Sequence, residues 1–134
     1  MRSIVQQDHE KRVAWMVNEE RRKAGLSRLE VAPLLGVAAR AHSADMAARN
    51  FYSHHSPEGR TVGDRVALTG YGFVIVGENI AWGQETARQV MNAWMRSPGH
   101  KANILHPDYT EIGVGVVANR RGAVVWTQNF ATPG

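Results

Sequence analysis

Apolar positions follow a helical rhythm in the first half of the chain and a strand rhythm mostly at the end. Val13, Val17 and Ala24 fall on one stripe with charges opposite, which predicts a helix over about residues 6 to 24. Gly25 ends it, in the role glycine fills best after a helix. Pro33 suits the first position of a second helix, and "LLGVAARAHSADMAARN" continues it to about Asn50. Leu35, Ala39, His42 and Met46 share one face of that helix, which favours a hydrogen-bonded core histidine over a ligand at His42.

Turn residues crowd "FYSHHSPEGRT", a loop, and a short helix around "VGDRVAL" follows, ending near Gly70. "FVIVGENIAW" reads as a buried strand with Val74, Val76, Glu78, Ile80 and Trp82 on one face. A helix over 86 to 96 opens with Thr86 and Gln89 in capping-box spacing, and Val90, Met91, Trp94 and Met95 make its apolar face. Pro98 and Gly99 break it and His100 stands just after the break, with "HKANIL" restarting as a short turn or helix. In "IGVGVVAN", Ile112, Val114 and Val116 lie on one side, and Gly113 and Gly115 leave room on the other for a backbone or helix. "GAVVWTQNF" pairs with it as a hairpin through "NRRG". Helices first and strands mostly last make the class α+β, helices packed on an antiparallel sheet.

Composition narrows the reading. The 134 residues suit one domain with a real core, with about 8 to 131 as its body. At 43% hydrophobic and 21% charged the chain is ordinary for a globular protein, and no segment is apolar enough for a transmembrane span. "MRSIVQQDHE" lacks the apolar core of a signal peptide, so the expectation is either a cytoplasmic protein or one whose export signal precedes this sequence. The absence of cysteine excludes disulfides and Cys-based zinc sites, leaving His, Asp and Glu for any metal. A net charge of +4 raises nucleic acid as a partner. However, Lys11, Arg12, Arg21, Arg22 and Lys23 are interleaved with Glu10, Glu19 and Glu20, as on a solvated helix face, and no nucleic-acid motif appears. No nucleic acid is expected.

Three positions could carry chemistry. Glu78 sits among apolar same-face neighbours, and burying an ionised carboxylate costs several kcal/mol unless it is paired. It is an N–H acceptor that organises a loop, or a ligand or base, or a sign that the strand is misplaced. His54 and His55 lie in a loop rich in Pro and Gly, and His100 follows a forced break, better settings for a site than a helix face. Two histidines and a carboxylate are the minimum for a zinc site with an open position or for acid-base work. Ser53, Ser56 and Ser97 lie near the histidines, but no nucleophile-elbow pattern accompanies them.

The segments "AHSADMAARNFYSHHSPEG", "GENIAWG", "WMRSPGHKANIL", "YTEIGVGV" and "WTQNF" resemble the CAP superfamily of cysteine-rich secretory, antigen 5 and pathogenesis-related 1 proteins, in its bacterial SCP-like branch. The resemblance implies an α-β-α sandwich, a three-stranded antiparallel sheet between helices, with a cleft across one side. It also implies His54, Glu78 and His100 as cleft residues able to hold a divalent metal such as zinc, with His55, Asn79 and Ser97 lining the cleft. The family's second glutamate falls on Ser97. The expected function is an extracytoplasmic, secreted or cell-envelope binding module, a monomer taking a metal and a lipid, sterol, peptide or cell-wall fragment, with no organic cofactor. A metal-dependent, protease-like hydrolase and a structural domain with a vestigial cleft are the alternatives. Asn79 is expected to point away from Glu78 and hydrogen-bond backbone.

Overall fold

A computed structural model describes residues 3–134. The elements, in chain order, are α1 (Ile4–Lys23), β1 (Glu30–Val31), α2 (Pro33–Arg49), α3 (Val62–Ala67), β2 (Phe73–Trp82), α4 (Ala87–Met95), α5 (Pro98–Ile104), β3 (Glu111–Ala118) and β4 (Val124–Pro133). The strands form one sheet in the order β1-β3-β4-β2. β3, β4 and β2 are the antiparallel trio expected from the pattern. The fourth strand, β1, is two residues long and runs parallel to β3, too short to leave a periodic signal.

Helices cover both faces of the sheet. On one side Val13 and Val17 of α1 and Val90 and Trp94 of α4 pack on Ile112, Val114, Trp126 and Phe130. Fully burying a side chain of this kind contributes about 1.5–3 kcal/mol, so this layer dominates the packing. On the other side α2 lies along β3. A Cβ on Gly113 would meet the Leu35 carbonyl carbon at 2.2 Å, and one on Gly115 would meet the Arg40 amide at 2.2 Å. Those glycines let helix and strand backbones touch, as their spacing suggested.

Three details differ from the sequence reading. Arg21 is not on a solvated face: it is 1% exposed, and its guanidinium donates to the carbonyls of Ser27, Ile104, His106 and Tyr109. Four carbonyls satisfy the planar fork, which is what makes its burial tolerable. Glu10 is also buried, accepting from the Val116 amide. Val74 is exposed because β2 is irregular between Phe73 and Ile75, while Val76, Glu78, Ile80 and Trp82 keep a common face.

Candidate functional site

The site gathers at β2, which is an edge strand. An unpaired strand edge offers carbonyls to anything that can donate. Here side chains take them: Tyr52 Oη and Trp94 Nε1 both donate to Ile80 O at 3.0 Å, and Asn103 Nδ2 donates to Glu78 O at 3.1 Å.

His54 reaches this edge from the α2 side. α2 ends at Asn50 in the left-handed region (φ 55), a conformation asparagine tolerates, and the chain doubles back. The loop that follows has no regular structure, yet three bonds bracket the histidine. His42 Nε2–H donates to Ser53 O at 2.8 Å, Arg65 Nη2 to His54 O at 2.6 Å, and Tyr52 to the edge of β2. Ser53 and Ser56 accept from the amides of His55 and Arg60, so both hydroxyls serve the loop. His55 is exposed, and its backbone amide donates to Ser53 Oγ.

Glu78 is the hub. It is 6% exposed, more deeply buried than its neighbours in sequence suggested. Its Oε1 takes His54 Nδ1 at 2.9 Å and Arg65 Nη2 at 3.0 Å; its Oε2 takes Arg65 Nη1 and Asn129 Nδ2, each at 2.8 Å. His42 Nε2 stands 3.8 Å from Oε1. Burial alone would push the carboxyl up, but the bonds from His54 and Arg65 and the charge of Arg65 outweigh it and hold Glu78 down to about 2. Arg65 arrives on α3, whose N-terminus is set by a reciprocal Thr61–Asp64 capping box. Asn129 arrives by register, directly opposite Glu78 on β4.

His100 comes from the opposite layer. The expected break at Pro98 and Gly99 is a helix start instead: Pro98 occupies the first turn of α5, where its missing N–H costs nothing, and Ser97 is the N-cap residue. Ser97 makes no capping bond; its hydroxyl lies 2.8 Å from His100 Nδ1. Asn79, expected to line the cleft, is instead fully buried beneath α5. It donates to His100 O and to Gln128 Oε1, both at 3.0 Å, and accepts from Asn103 Nδ2 at 2.9 Å. Its predicted backbone bond is therefore present, to the histidine of the cleft. Burial pushes His100 below the usual histidine value, and the nearby His54 pushes the same way.

Each of the two histidines thus has its Nδ1 tied, one to a carboxylate and one to a hydroxyl, which leaves Nε2 of each ring as the nitrogen outside these bonds. Glu78 bears on the expected ligand set. All four of its acceptor positions are filled by protein donors, two of them from a guanidinium, so in this arrangement it backs His54 and offers no open position to an ion. Among the described residues no three His, Asp or Glu side chains are grouped to hold an ion. The three-ligand centre that the resemblance implies does not fit this arrangement.

Arg65 and Asn129 were missed by sequence reasoning. Arg65 looked like any charge on a short helix, and Asn129 is brought to Glu78 by a pairing between distant strands that no local pattern announces.

The profile of the cysteine-rich secretory protein family, CAP, matches residues 16–130. The chain belongs to that family. It is 43% identical over 122 residues to the Bacillus subtilis protein YkwD, covering 91% of this chain and 46% of that one. An extracellular Bacillus anthracis protein containing an SCP domain superposes with a TM-score of 0.90 at 31% identity, over 96% of this chain and 41% of the other. The CAP chain described here therefore spans less than half the length of either relative. An outer surface protein of Borrelia burgdorferi has the same fold, with a TM-score of 0.86 at 24% identity over 92% of both chains. No helix among the described residues is long and apolar enough to cross a membrane.

Proposed function

We propose that this CAP domain works outside the cytoplasm as a binding module, and that its cleft engages ligand through Nε2 of His54 and Nε2 of His100. The observation that carries the reading is the pairing at Nδ1. Glu78 and Ser97 each fix one ring, and an imidazole oriented through one nitrogen presents the other for binding. The extracellular Bacillus anthracis protein supports the location. A divalent ion such as zinc would have two protein ligands here, His54 and His100, with Glu78 behind His54. Two ligands in place of three predict modest affinity. A lipid, sterol, peptide or cell-wall fragment would meet the same two nitrogens.

The test is calorimetric titration with zinc near pH 7.5. Wild type should bind, and His54→Ala and His100→Ala should each abolish the heat. Equal binding by the double variant would place any zinc elsewhere and remove the cleft reading. Binding should also weaken in acid, because a protonated imidazole cannot ligate, and burial, which holds His100 below the usual histidine value, sets that loss on the acid side of about 6.5.

One distance favours a second reading, a hydrolase using Ser97 with His100 as base, since 2.8 Å is bonding range for such a pair. Against it, none of the hydrogen bonds described holds His100 Nε2 to a carboxylate, and Glu78, held at about 2, is too weak a base to assist at neutral pH. A fluorophosphonate probe that labels wild type but not Ser97→Ala would favour this reading. No generic peptidase activity is expected.

A further inference from the structure

The turn between β3 and β4 carries two arginines that no carboxylate answers. Several other surface arginines are paired: Arg12 with Asp8, Arg22 with Glu19, Arg28 with Glu30, and Arg49 with Asp45 and Glu58. Arg120 and Arg121 are exposed, and among the described residues no ion pair or hydrogen bond holds either guanidinium. Both line a cavity of about 420 Å3 between this turn and the end of α2, with Trp82 of β2 also in its wall. No Asp or Glu lines it, whereas Glu10, Asp45 and Glu19 each line another cavity of this surface.

The turn is built to hold its shape. Asn119 Oδ1 accepts from the amides of Arg121 and Ala123, both at 2.9 Å, and Gly122 takes the left-handed φ of 84° that closes it. Trp82 Nε1–H donates to no protein acceptor, unlike the indole N–H groups of Trp94 and Trp126. The side chains on this wall therefore offer donors, two of them charged, and a site lined by one sign of charge concentrates the other. A carboxylate would occupy one planar fork, whereas the tetrahedral oxygens of a phosphate can take both guanidiniums. The facing wall is of the opposite kind. Met46 O takes the amides of Asn50 and Phe51, which leaves the carbonyls of Ala47 and Ala48, two further lining residues, without an amide. Those carbonyls only accept, and the negative end of the helix dipole disfavours a second anionic group beside them. A hydroxyl suits that end.

We infer that this cavity binds a polyol phosphate, with the phosphate on Arg120 and Arg121 and the hydroxyl-bearing end toward the last turn of α2. The volume falls within the range of about 300–1,000 Å3 usual for small-molecule sites and exceeds what a bare phosphate needs. A soluble glycerol or sugar phosphate and the glycerol phosphate headgroup of a lipid share this chemistry. None of His54, Glu78 and His100 lines the cavity, so the inference does not depend on the cleft binding metal.

The experiment is a 15N–1H correlation spectrum of the protein in EDTA, titrated with glycerol 3-phosphate, with glycerol and with inorganic phosphate. The Trp82 indole resonance, assigned by its loss in Trp82→Phe, should move saturably with glycerol 3-phosphate, with a Kd of about 1 mM for a ligand of this size. Glycerol should leave it unmoved, and inorganic phosphate should bind more weakly. Arg120→Gln with Arg121→Gln, both at exposed turn positions, should abolish the shift while circular dichroism stays that of the folded protein. Arg12→Gln with Arg88→Gln removes the same charge from α1 and α4 and should keep it. Sedimentation with phosphatidylglycerol vesicles but not phosphatidylcholine vesicles, lost in the Arg120 and Arg121 double variant, assigns the site to a lipid headgroup. Binding of glycerol 3-phosphate without sedimentation assigns it to a soluble ester. An indole resonance that glycerol 3-phosphate does not move, a shift that survives in the Arg120 and Arg121 variant or is lost in the Arg12 and Arg88 one, or equal affinity for inorganic phosphate would overturn the assignment.

Discussion

Glu78 and Asn79 are neighbours in the chain, buried on opposite faces of one edge strand, and they solve the same problem with different chemistry. Each fastens a segment that carries a cleft histidine. Glu78 is ionised and grips the ring of His54, answered by Arg65 and Asn129. Asn79 is neutral and grips the backbone of His100, within a ladder that includes Asn103 and Gln128. A charge can be buried where a guanidinium meets it, and there it fixes an imidazole whose other nitrogen stays available. An amide suits the interior beneath α5, where it links carbonyl to carbonyl with no charge to compensate. The ring of one histidine and the backbone of the other are thus set by adjacent residues.

The sharpest way to break this comparison is to strip Glu78 of its cation. Arg65→Met leaves a carboxylate buried and unpaired, and removing one partner of such a pair costs about 3–5 kcal/mol. Urea unfolding at neutral pH should show that loss. Adding Glu78→Gln should restore part of it, because the stranded charge is then gone. Two independent, additive losses would mean that charge pairing is not what holds Glu78.

The Asn79 side should break more gently. Asn79→Ala removes a donor to two acceptors and an acceptor for Asn103, leaving buried groups unsatisfied at about 2–3 kcal/mol in total. Its signature is local. Amide hydrogen exchange should speed up in α5 and leave the 51–61 loop as it was, whereas Arg65→Met should loosen the loop first. Faster exchange in both segments from either change would make the two fasteners one unit.

How far the two halves were legible in the sequence follows from the same contrast. The strand carrying Glu78 and Asn79, the helix over 86 to 96 with its Thr86 cap, and the glycines of β3 all rest on local periodicity or capping, which survive in a one-dimensional string. Glu78 stood out because a carboxylate among apolar residues needs a partner. Which partner could not be read, since Arg65 and Asn129 come from a capped short helix and a strand 51 residues away. Arg21 failed for a related reason: a charge amid other charges looks solvated until the distant 104–109 segment that receives it is folded over. Ser97 was legible only as a departure from the family pattern. Its contact with His100 depends on a helix beginning where Pro98 and Gly99 read as a helix ending.

Acid should separate the charged hub from the histidines. Glu78 lies at about 2 in the folded chain against about 4.3 when unperturbed, so its stabilisation is full above the higher value and is lost as pH falls toward the lower. His42 and His100 are held below the ordinary histidine value, chiefly by burial. The unfolded chain takes up their protons first, so stability begins to fall once pH drops below about 6.5. Denaturant midpoints measured against pH should decline in two stages. His42→Gln should flatten the upper stage and Glu78→Gln the lower. A flat profile from pH 7 to 5 would show that the folded protein accepts those histidine protons freely.

The smallest change in stability, and the most direct one for the cleft, should come from Ser97→Ala. The hydroxyl does not cap α5, so the usual cost of losing a serine cap, about 1 kcal/mol, should be largely absent. What disappears is the bond to His100 Nδ1. The ring should then turn more freely and share its hydrogen between both nitrogens, and a ligand at Nε2 meets the wrong tautomer part of the time. Losing such an orienting partner typically weakens metal binding 10–100-fold, and a neutral hydroxyl should sit at the low end, about tenfold. Glu78→Gln, which replaces the charged partner of His54, should weaken zinc more than Ser97→Ala does. Parallel calorimetric titrations of the two variants at one pH make the comparison. Unchanged zinc affinity in Ser97→Ala would mean that Asn79, holding the backbone, is enough to set His100 by itself, and that the hydroxyl at the start of α5 has no part in the cleft.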